Sequence, residues 1–447
     1  MSLDQLGEFE PELSPIPGLP RKQGASLARG RRAIQIVVSF FLGQGALQGI
    51  QLLTGLLLIR WLSIEGWAQF GLASGFQITV NTLMDLGISG TIIPLVGERR
   101  NDRALVGRYM RSARHLRNRM FWIVAPFAAI AFFGIMHKHN WSLYTQCLLL
   151  ASVLIALFSN GRISYSSAPL FIFGRLREFY IPQTLSGILR FLVYVCLRFA
   201  GGLNAWTAAM LSALNATMNG YLLERESRQC IEWPLRDDPS TDRELLQYML
   251  PATPAIIFSA FQSQISLFLI TFFGQTTNIA QVAALSKLGQ LFTTSMMTFN
   301  IVIIEPFVAR LSPERLLRTY LGIVAIAVTF CTPFAMVAFL FPKPFLWLLG
   351  AKYSSLGNLV GWIVLAACIS YLAGLIWIMN RSRRWLFWSG TIFEIVILLA
   401  TQIAFIALVG VHTTREAVLF TFASSVCYMV THVYVAVCGF LRGPRGG

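Results

Sequence analysis

Residues 70–97 read FGLASGFQITVNTLMDLGISGTIIPLVG, and Asp85 is the one charged side chain among them. A helix needs about 20 predominantly apolar residues to cross a bilayer, and this stretch is long enough. The whole chain has the same character: 55% of its 447 residues are hydrophobic, 13% are charged, and the mean hydropathy is +0.62. Soluble domains carry roughly 45–50% apolar and 25% charged residues. The composition therefore excludes a water-soluble globule and predicts a polytopic membrane protein.

Eleven further apolar blocks accompany this one, so we predict an all-α fold of about twelve transmembrane helices. Six blocks lie on each side of a polar stretch, which predicts an N-terminal lobe (33–223), a cytoplasmic linker (224–246) and a C-terminal lobe (247–441). Residues 1–32 are predicted to form a disordered cytoplasmic tail. Residues 442–447 are predicted to form a second cytoplasmic tail. The predicted spans are 33–59, 70–97, 120–136, 141–163, 181–200, 204–223, 247–273, 279–304, 319–341, 355–380, 385–410 and 417–440.

The quoted stretch has a counterpart in the second half of the chain. A shift of 212 positions superposes Ser74 on Ser286 and Thr82 on Thr294, among other identities. Because each half holds an even number of spans, such halves are parallel repeats about an axis along the membrane normal. Two lobes that face one another across this axis would enclose a central cavity.

The net charge of +16 raises the question of a nucleic-acid partner, which the placement of the 36 basic residues answers. With a cytoplasmic amino terminus, 28 of them fall on inner segments, six on outer segments and two within spans. This bias follows the positive-inside rule and predicts that both termini are cytoplasmic. We therefore expect no nucleic-acid partner.

The inner segment from Glu98 to Arg119 holds eight arginines. Five apolar residues alternate with them at helical spacing, which predicts a helix lying on the anionic lipids of the inner leaflet. A solvated connector that only fixes orientation is the alternative. The apolar residues are Leu105, Tyr109, Met110, Ala113 and Leu116.

Four spans, the first, second, seventh and eighth, carry polar stripes at three- or four-residue spacing, which places each stripe on one helix face. Polar groups avoid hydrocarbon, so these faces predict the lining of a water-filled cavity that binds glycan hydroxyls. Hydrogen bonding from helix to helix is the alternative. The predicted lining residues are Gln44, Gln48, Gln51, Gln77, Asn81, Gln262 and Gln290.

Charged residues within or beside the apolar blocks sharpen this prediction. Arg60, Arg190 and Lys287 suit a pyrophosphate, because guanidinium and ammonium groups donate charge-assisted hydrogen bonds to phosphate oxygens. The carboxylates of Asp85, Glu305 and Glu394 are candidates for coupling to H⁺ or Na⁺. Pairing of these charges with each other is the alternative reading.

Motifs of enzymes are not found in the sequence. It has no Walker loop, no metal-binding helix motif and no nucleophile elbow. Seven scattered cysteines show neither metal-ligand nor disulfide spacing. We therefore predict no catalytic residues, no metal site, no cofactor and no enzymatic activity.

Six short motifs, in matching order over roughly residues 35–380, resemble the Wzx-like polysaccharide transporters of the multidrug/oligosaccharidyl-lipid/polysaccharide (MOP) exporter superfamily. The family often has an Asp near the position of Gln264, where this sequence departs from it. The motifs are IRWLS (59–63), FGLA (70–73), DLGIS (85–89), ALSKL (284–288), PFVAR (306–310) and LLGAKY (348–353).

The resemblance implies two six-helix lobes around a cavity lined by spans one, two, seven and eight. It also implies a flippase that moves a polyprenyl-pyrophosphate-linked oligosaccharide across the bacterial cytoplasmic membrane for surface polysaccharide assembly. A polysaccharide polymerase or glycosyltransferases would then be partners. Two rival functions are a multidrug or small-metabolite antiporter of the same superfamily and a non-transporting scaffold for envelope synthesis.

Overall fold

The computed structural model describes residues 43–96, 102–233, 238–250, 253–300, 304, 307–308, 311–383, 385 and 387–442. The predicted tail 1–32 lies outside these residues, as does 443–447. Regular structure within them is helical. The first lobe consists of α1 (43–61), α2 (Ile64–Asp85), α3 (Ile88–Val96), α4 (Arg103–Lys138), α5 (Leu143–Ile172), α6 (Leu176–Phe199) and α7 (Ala205–Arg228).

Helix α8 (Pro239–Met249) leads into the second lobe. That lobe consists of α9 (Thr253–Gln262), α10 (Ile265–Phe273), α11 (Thr276–Phe299), α12 (Pro313–Leu340), α13 (Pro342–Leu349), a 3₁₀ helix (Ala351–Leu356), α14 (Gly357–Ser382), α15 (Trp388–Leu408) and α16 (Thr414–Arg442).

Each predicted span corresponds to one helix or to a pair of consecutive helices, with differences of a few residues at the ends. Within the described residues, seven helices are long and apolar enough to cross a membrane, and α9 with α10 forms an eighth span that is bent by 53°. The remaining four predicted spans correspond to α1, to α2 with α3, to α7 and to α11. The protein is a multi-pass membrane protein, and "outer" and "inner" below denote the sides that the charge distribution predicts.

The two lobes repeat one another. Helices α2 and α11 begin 212 residues apart, at Ile64 and Thr276, and so do α6 and α15, at Leu176 and Trp388. The packing repeats as well: α4–α5–α7–α6 is one chain of neighbouring helices, and α12–α14–α16–α15 is its equivalent. The spacing suggested by the sequence thus relates helices that occupy the same place in each lobe.

The inner half of α4 differs from the expectation. Its apolar stripe, Leu105 to Leu116, is buried against α5, α7 and α8 in a second apolar core. The stripe therefore faces protein, and the prediction that it lies on the lipid leaflet is wrong. Sequence spacing identified the apolar face correctly, but α8, which covers it, comes from the segment taken as a linker.

Acidic side chains from the same region bind one arginine and one tyrosine of α4. The Glu224 carboxylate accepts hydrogen bonds from Arg114 and Arg228, both at 2.7 Å. The Tyr109 hydroxyl donates to Glu244 on α8 at 2.8 Å. These contacts fix the end of the first lobe and the start of the second to the inner half of α4.

Glu224→Gln is expected to destabilise this inner region. Hydrogen bonds to charged groups contribute about 1.5–3 kcal/mol each, and the neutral amide loses its charge toward both arginines. The melting temperature of the purified protein in detergent should fall below that of Glu232→Gln, a change at an exposed position nearby. Equal melting temperatures for the two variants would contradict this account.

Candidate functional site

The lobes meet where α2 packs against α9, α10 and α11. Two glycines of α2, one helical turn apart, permit the close approach. A Cβ on Gly71 would lie 2.8 Å from the Cβ of Ala283, and one on Gly75 would lie 2.6 Å from the Cδ2 of Leu267. Small residues at this spacing let helices approach closely inside membranes. The GxxxG spacing of Gly71 and Gly75 is the signal in the sequence for this close approach.

Equivalent residues of the two repeats face each other here. The cavity between the lobes is lined by both members of four pairs that are 212 residues apart: Gly71 with Ala283, Ser74 with Ser286, Gly75 with Lys287, and Ile78 with Gln290. A pseudo-twofold axis between α2 and α11 produces this arrangement. The two repeats differ most at Gly75 with Lys287 and at Ile78 with Gln290, where only the second repeat carries a polar side chain.

Lys287 is the charged residue of this cavity. Its ammonium donates to Gln290 Oε1 at 3.0 Å, and no carboxylate pairs with it in the part of the chain that the structure describes. The cavity volume is about 40 Å³, which suffices for only a few water molecules. In this conformation a bulky headgroup does not fit, so admitting one requires the lobes to separate.

The bend in the seventh span brings one more amide to the cavity. Helix α9 ends at Gln262 and α10 begins at Ile265, and the side chain of Gln264, at the break, lines the cavity beside Gly75. Broken helices are common at the binding sites of repeat-built transporters. The site therefore combines one ammonium with amide and hydroxyl groups from both lobes.

Basic side chains join the lobes at their outer ends by binding helix C-terminal carbonyls. Arg60 donates through Nε to the carbonyl oxygen of Leu348 at 3.2 Å and through Nη2 to that of Trp347, and both carbonyls belong to the last turn of α13. Its guanidinium also lies 4.5 Å from the centre of the Trp347 ring. In the opposite direction, Lys352 donates to the carbonyl of Leu62, at the end of α1.

The third outer contact lies at the C-terminal end of helix α10. Lys138 donates to the carbonyl of Phe272, and His139 Nε2 lies 3.0 Å from the carbonyl oxygen of Thr271. Because that oxygen only accepts, Nε2 carries the proton. Burial lowers the pKa of His139 below its usual range; the hydrogen bond to Thr271 opposes this effect and the charge of Lys138 adds to it. We call these three contacts the outer latches.

Other predicted residues make contacts within a single lobe. Gln262 and Gln402 exchange amide hydrogen bonds of 3.0 and 2.7 Å, and Gln402 also donates to Ser424 at 3.1 Å. In this stripe Ser266 likewise bonds to Thr421 at 2.7 Å. In this conformation the seventh-span stripe therefore follows the helix-to-helix alternative.

Asn81 and Asp85 have a partner that the sequence did not reveal. Arg117 of α4 is 3% exposed, donates to Asn81 Oδ1 at 2.5 Å and interacts electrostatically with Asp85. Arg117 was counted among the arginines of an inner loop. Arg117 is buried because α4 extends through that segment. The low hydropathy of the segment did not predict this extension.

The remaining predicted residues lie away from the Lys287 cavity. The Nε of Arg190 on α6 is buried without a hydrogen-bond partner among the described residues, and Glu394 on α15 lies near Tyr428 of α16. Glu305 lies outside the described residues. The α1 residues Gln44, Gln48 and Gln51, and Gln77 of α2, are half-buried or exposed and are not among the residues that line this cavity.

No family model matches the sequence, and no curated protein does. Solved structures match over almost the whole chain. The lipid II flippase MurJ in an inward closed conformation has a TM-score of 0.64 and 13% identity, and covers 92% of this chain and 89% of its own. An inward-facing MATE family multidrug transporter of the MOP superfamily has a TM-score of 0.60 and 15% identity, covering 88% and 93%.

The chain is similar in fold to these solved transporters. The MATE multidrug transporter DinF-BH extends the likeness, with a TM-score of 0.60 and 14% identity over 96% of this chain and 98% of its own. At these identities the likeness concerns the fold and carries no substrate. Within this fold, the interface of α2 with α11 is the boundary between the two repeats.

Replacing two outer latches should open the outer side. Each charge-assisted hydrogen bond contributes about 1.5–3 kcal/mol, and every 1.4 kcal/mol is roughly tenfold in an equilibrium constant. The double variant Arg60→Gln, Lys352→Gln should therefore raise the labelling rate of Ser74→Cys by an externally added thiol reagent at least tenfold. Lys343→Gln, at an exposed outer position, is the control. An unchanged rate would mean that the latches do not hold the lobes together.

Acidification should loosen the closed outer end. The closed conformation lowers the pKa of His139, so the open conformation binds the proton more tightly. The contribution of neutral His139 to closure is complete above its usual pKa of about 6.5 and is lost as the pH falls from there toward the lowered value. Labelling of Ser74→Cys, normalised to the unfolded protein at each pH, should rise on acidification. His139→Gln should flatten this pH dependence. If the pH profile of labelling is the same with and without His139→Gln, His139 does not control the closure.

Proposed function

We propose that this protein is a flippase that moves a polyprenyl-pyrophosphate-linked oligosaccharide from the inner to the outer leaflet of the bacterial cytoplasmic membrane, with both termini in the cytoplasm. The observation that carries the proposal is Lys287, a half-buried ammonium at the boundary between the two lobes, with a single described hydrogen-bond acceptor. The matched proteins include a lipid II flippase, which supports transport of a lipid-linked substrate.

The chemistry of Lys287 favours an anionic substrate. An ammonium carries three N–H donors, and Gln290 accepts from one of them. Burying a charge without compensating acceptors is costly, and phosphate oxygens would supply those acceptors when the cavity widens. The amides of Gln264 and Gln290 and the hydroxyls of Ser74 and Ser286 would then bind glycan hydroxyls, since both groups donate and accept hydrogen bonds.

Alternating access supplies the widening. The outer latches hold the outer ends together in this conformation, and the headgroup enters between the lobes from the inner side while the lipid tail stays in the bilayer. When the lobes rock, the latches break and the guanidinium of Arg60 is released from α13. Arg60 would then meet the pyrophosphate at the outer exit, and Arg190 is a further candidate on the first lobe.

Ion coupling belongs to the same proposal. Of the candidate carboxylates, Asp85 interacts with the buried Arg117, so protonation of Asp85 would weaken a contact between α2 and α4 next to the interface. Glu305 and Glu394 remain candidates for binding H⁺ or Na⁺. Coupling through Asp85 would link the ion to the helix that separates from α11.

Two rival functions make different predictions. An antiporter for small molecules is favoured by the narrow cavity with its aromatic wall of Trp67 and Phe70, but the ammonium of Lys287 would repel cationic drugs and select anions. A non-transporting scaffold requires internally paired charges and no cavity at the boundary. A cavity that contains Lys287 without a described carboxylate partner disfavours it.

Lys287→Gln should abolish or strongly reduce flipping of the lipid-linked sugar. The amide keeps the size of the side chain but loses the charge that holds the pyrophosphate, so we expect a loss of at least tenfold. The measurement is a leaflet-resolved assay of a polyprenyl-pyrophosphate-linked sugar in proteoliposomes, with Lys343→Gln as the matched control. Unchanged flipping by Lys287→Gln would remove this residue from the mechanism. Transport of small anions without lipid flipping would favour the antiporter.

A further inference from the structure

A second cavity lies between the lobes, near the outer end and separate from the Lys287 site. It has a volume of about 290 Å³ and opens between the outer half of α4 and the end of α10. The volume is near the lower end of the roughly 300–1,000 Å³ of small-molecule sites. We call it the α4–α10 groove; its lining residues are Ile130, Ala131, Gly134, Ile135, Lys138, Thr271 and Phe272.

Helical spacing explains why the groove is open and apolar. The α4 residues that line it recur at intervals of one and three or four, so they form one face of the helix. Gly134 lies in the middle of this face, and a Cβ built there would have no neighbour within 4 Å. The apolar walls are accessible: Ile130 is 73% exposed and Phe272 is 47% exposed. The groove is thus an apolar channel on a membrane-facing surface.

One cation lies at the outer rim of the groove. Lys138 is exposed and is one turn beyond Gly134, at the C-terminal end of α4. Its ammonium donates to the carbonyl of Phe272. Two of its three N–H donors remain for another acceptor. An apolar slot with one cation at its membrane-surface end is complementary to a lipid with an apolar chain and an anionic headgroup.

We propose that the α4–α10 groove binds an anionic phospholipid of the outer leaflet, with one acyl chain along Gly134 and the phosphate on Lys138. The walls of the groove come from both lobes, so the lipid contacts α4 of one and α10 of the other. Its phosphate shares the ammonium of Lys138 with the carbonyl of Phe272, which places the lipid at an outer latch. This site is independent of the proposed function, because it needs no transported substrate.

The test uses the full-length protein in vesicles of phosphatidylcholine that contain a small fraction of photoreactive lipid. Phosphatidylglycerol or phosphatidylcholine with a diazirine in the acyl chain is cross-linked by light, and the modified peptides are mapped by mass spectrometry. We expect adducts on residues 130–135 and 271–272, with at least a threefold higher yield from phosphatidylglycerol. Equal yields from the two lipids, or no adducts in these peptides, would overturn the proposal.

Two variants separate the chain from the headgroup. Gly134→Leu fills the groove and should reduce adducts there at least fivefold, whereas Gly322→Leu, at an equally open glycine of α12, should leave them unchanged. Lys138→Gln should remove the preference for phosphatidylglycerol and keep the yield from phosphatidylcholine. Inorganic phosphate at millimolar concentration should not compete. Competition by phosphate, or undiminished adducts in Gly134→Leu, would show that the groove does not select a lipid.

Discussion

Backbone carbonyls at helix ends impose the constraint on which the closed outer face depends. The last four carbonyls of a helix have no partner within it, and near the hydrocarbon they cannot rely on water. Here the ends of α1, α10 and α13 receive N–H groups from Lys352, from Lys138 with His139, and from Arg60. Each donor comes from the opposite lobe, so satisfying the carbonyls and closing the lobes are the same event. Cations at helix C-termini also interact favourably with the helix dipole.

Because of this constraint, the few outer basic residues also have a structural role. The positive-inside rule explains why they are few, but it says nothing about those that remain. Three of the six outer basic residues, Arg60, Lys138 and Lys352, make interlobe contacts in this structure. Each contact joins one side chain to one or two carbonyl oxygens, so separation of the lobes breaks few hydrogen bonds. The latches can therefore hold one state without preventing the other.

The pseudo-twofold axis explains the composition of the candidate site. Symmetric packing of α2 on α11 brings equivalent residues together, and close approach requires small side chains at Gly71 and Ala283. A lysine in both repeats would place two ammonium groups face to face, at a large electrostatic cost. Gly75 at the equivalent position avoids this repulsion. The repeat thus builds the cavity, and its unlike pairs supply the ammonium of Lys287 and the amide of Gln290.

The sequence predicted the helices well because hydrophobic length and periodicity are local properties. From the polar stripes of α2 and α11, Ser74, Lys287 and Gln290 line the cavity between the lobes. The sequence could not predict which neighbour each face meets: the amide of Gln262 reaches Gln402, 140 positions away, and Asn81 reaches a buried Arg117. Local hydropathy also ended the third span at Met120, whereas α4 continues inward to Arg103 because α8 covers its apolar side.

The docking of α8 bears on how the lobes can move. Contacts of α8 with α3 and α4 hold the beginning of the second lobe against the inner end of the first. At the outer ends, apolar residues of both lobes, among them Trp67 and Ile279, belong to one core, and the latches add hydrogen bonds to it. The core that contains α8 is a separate one at the inner end. The lobes can therefore part on the outer side while the contacts of α8 keep them joined on the inner side, which makes α8 a candidate pivot between the two repeats.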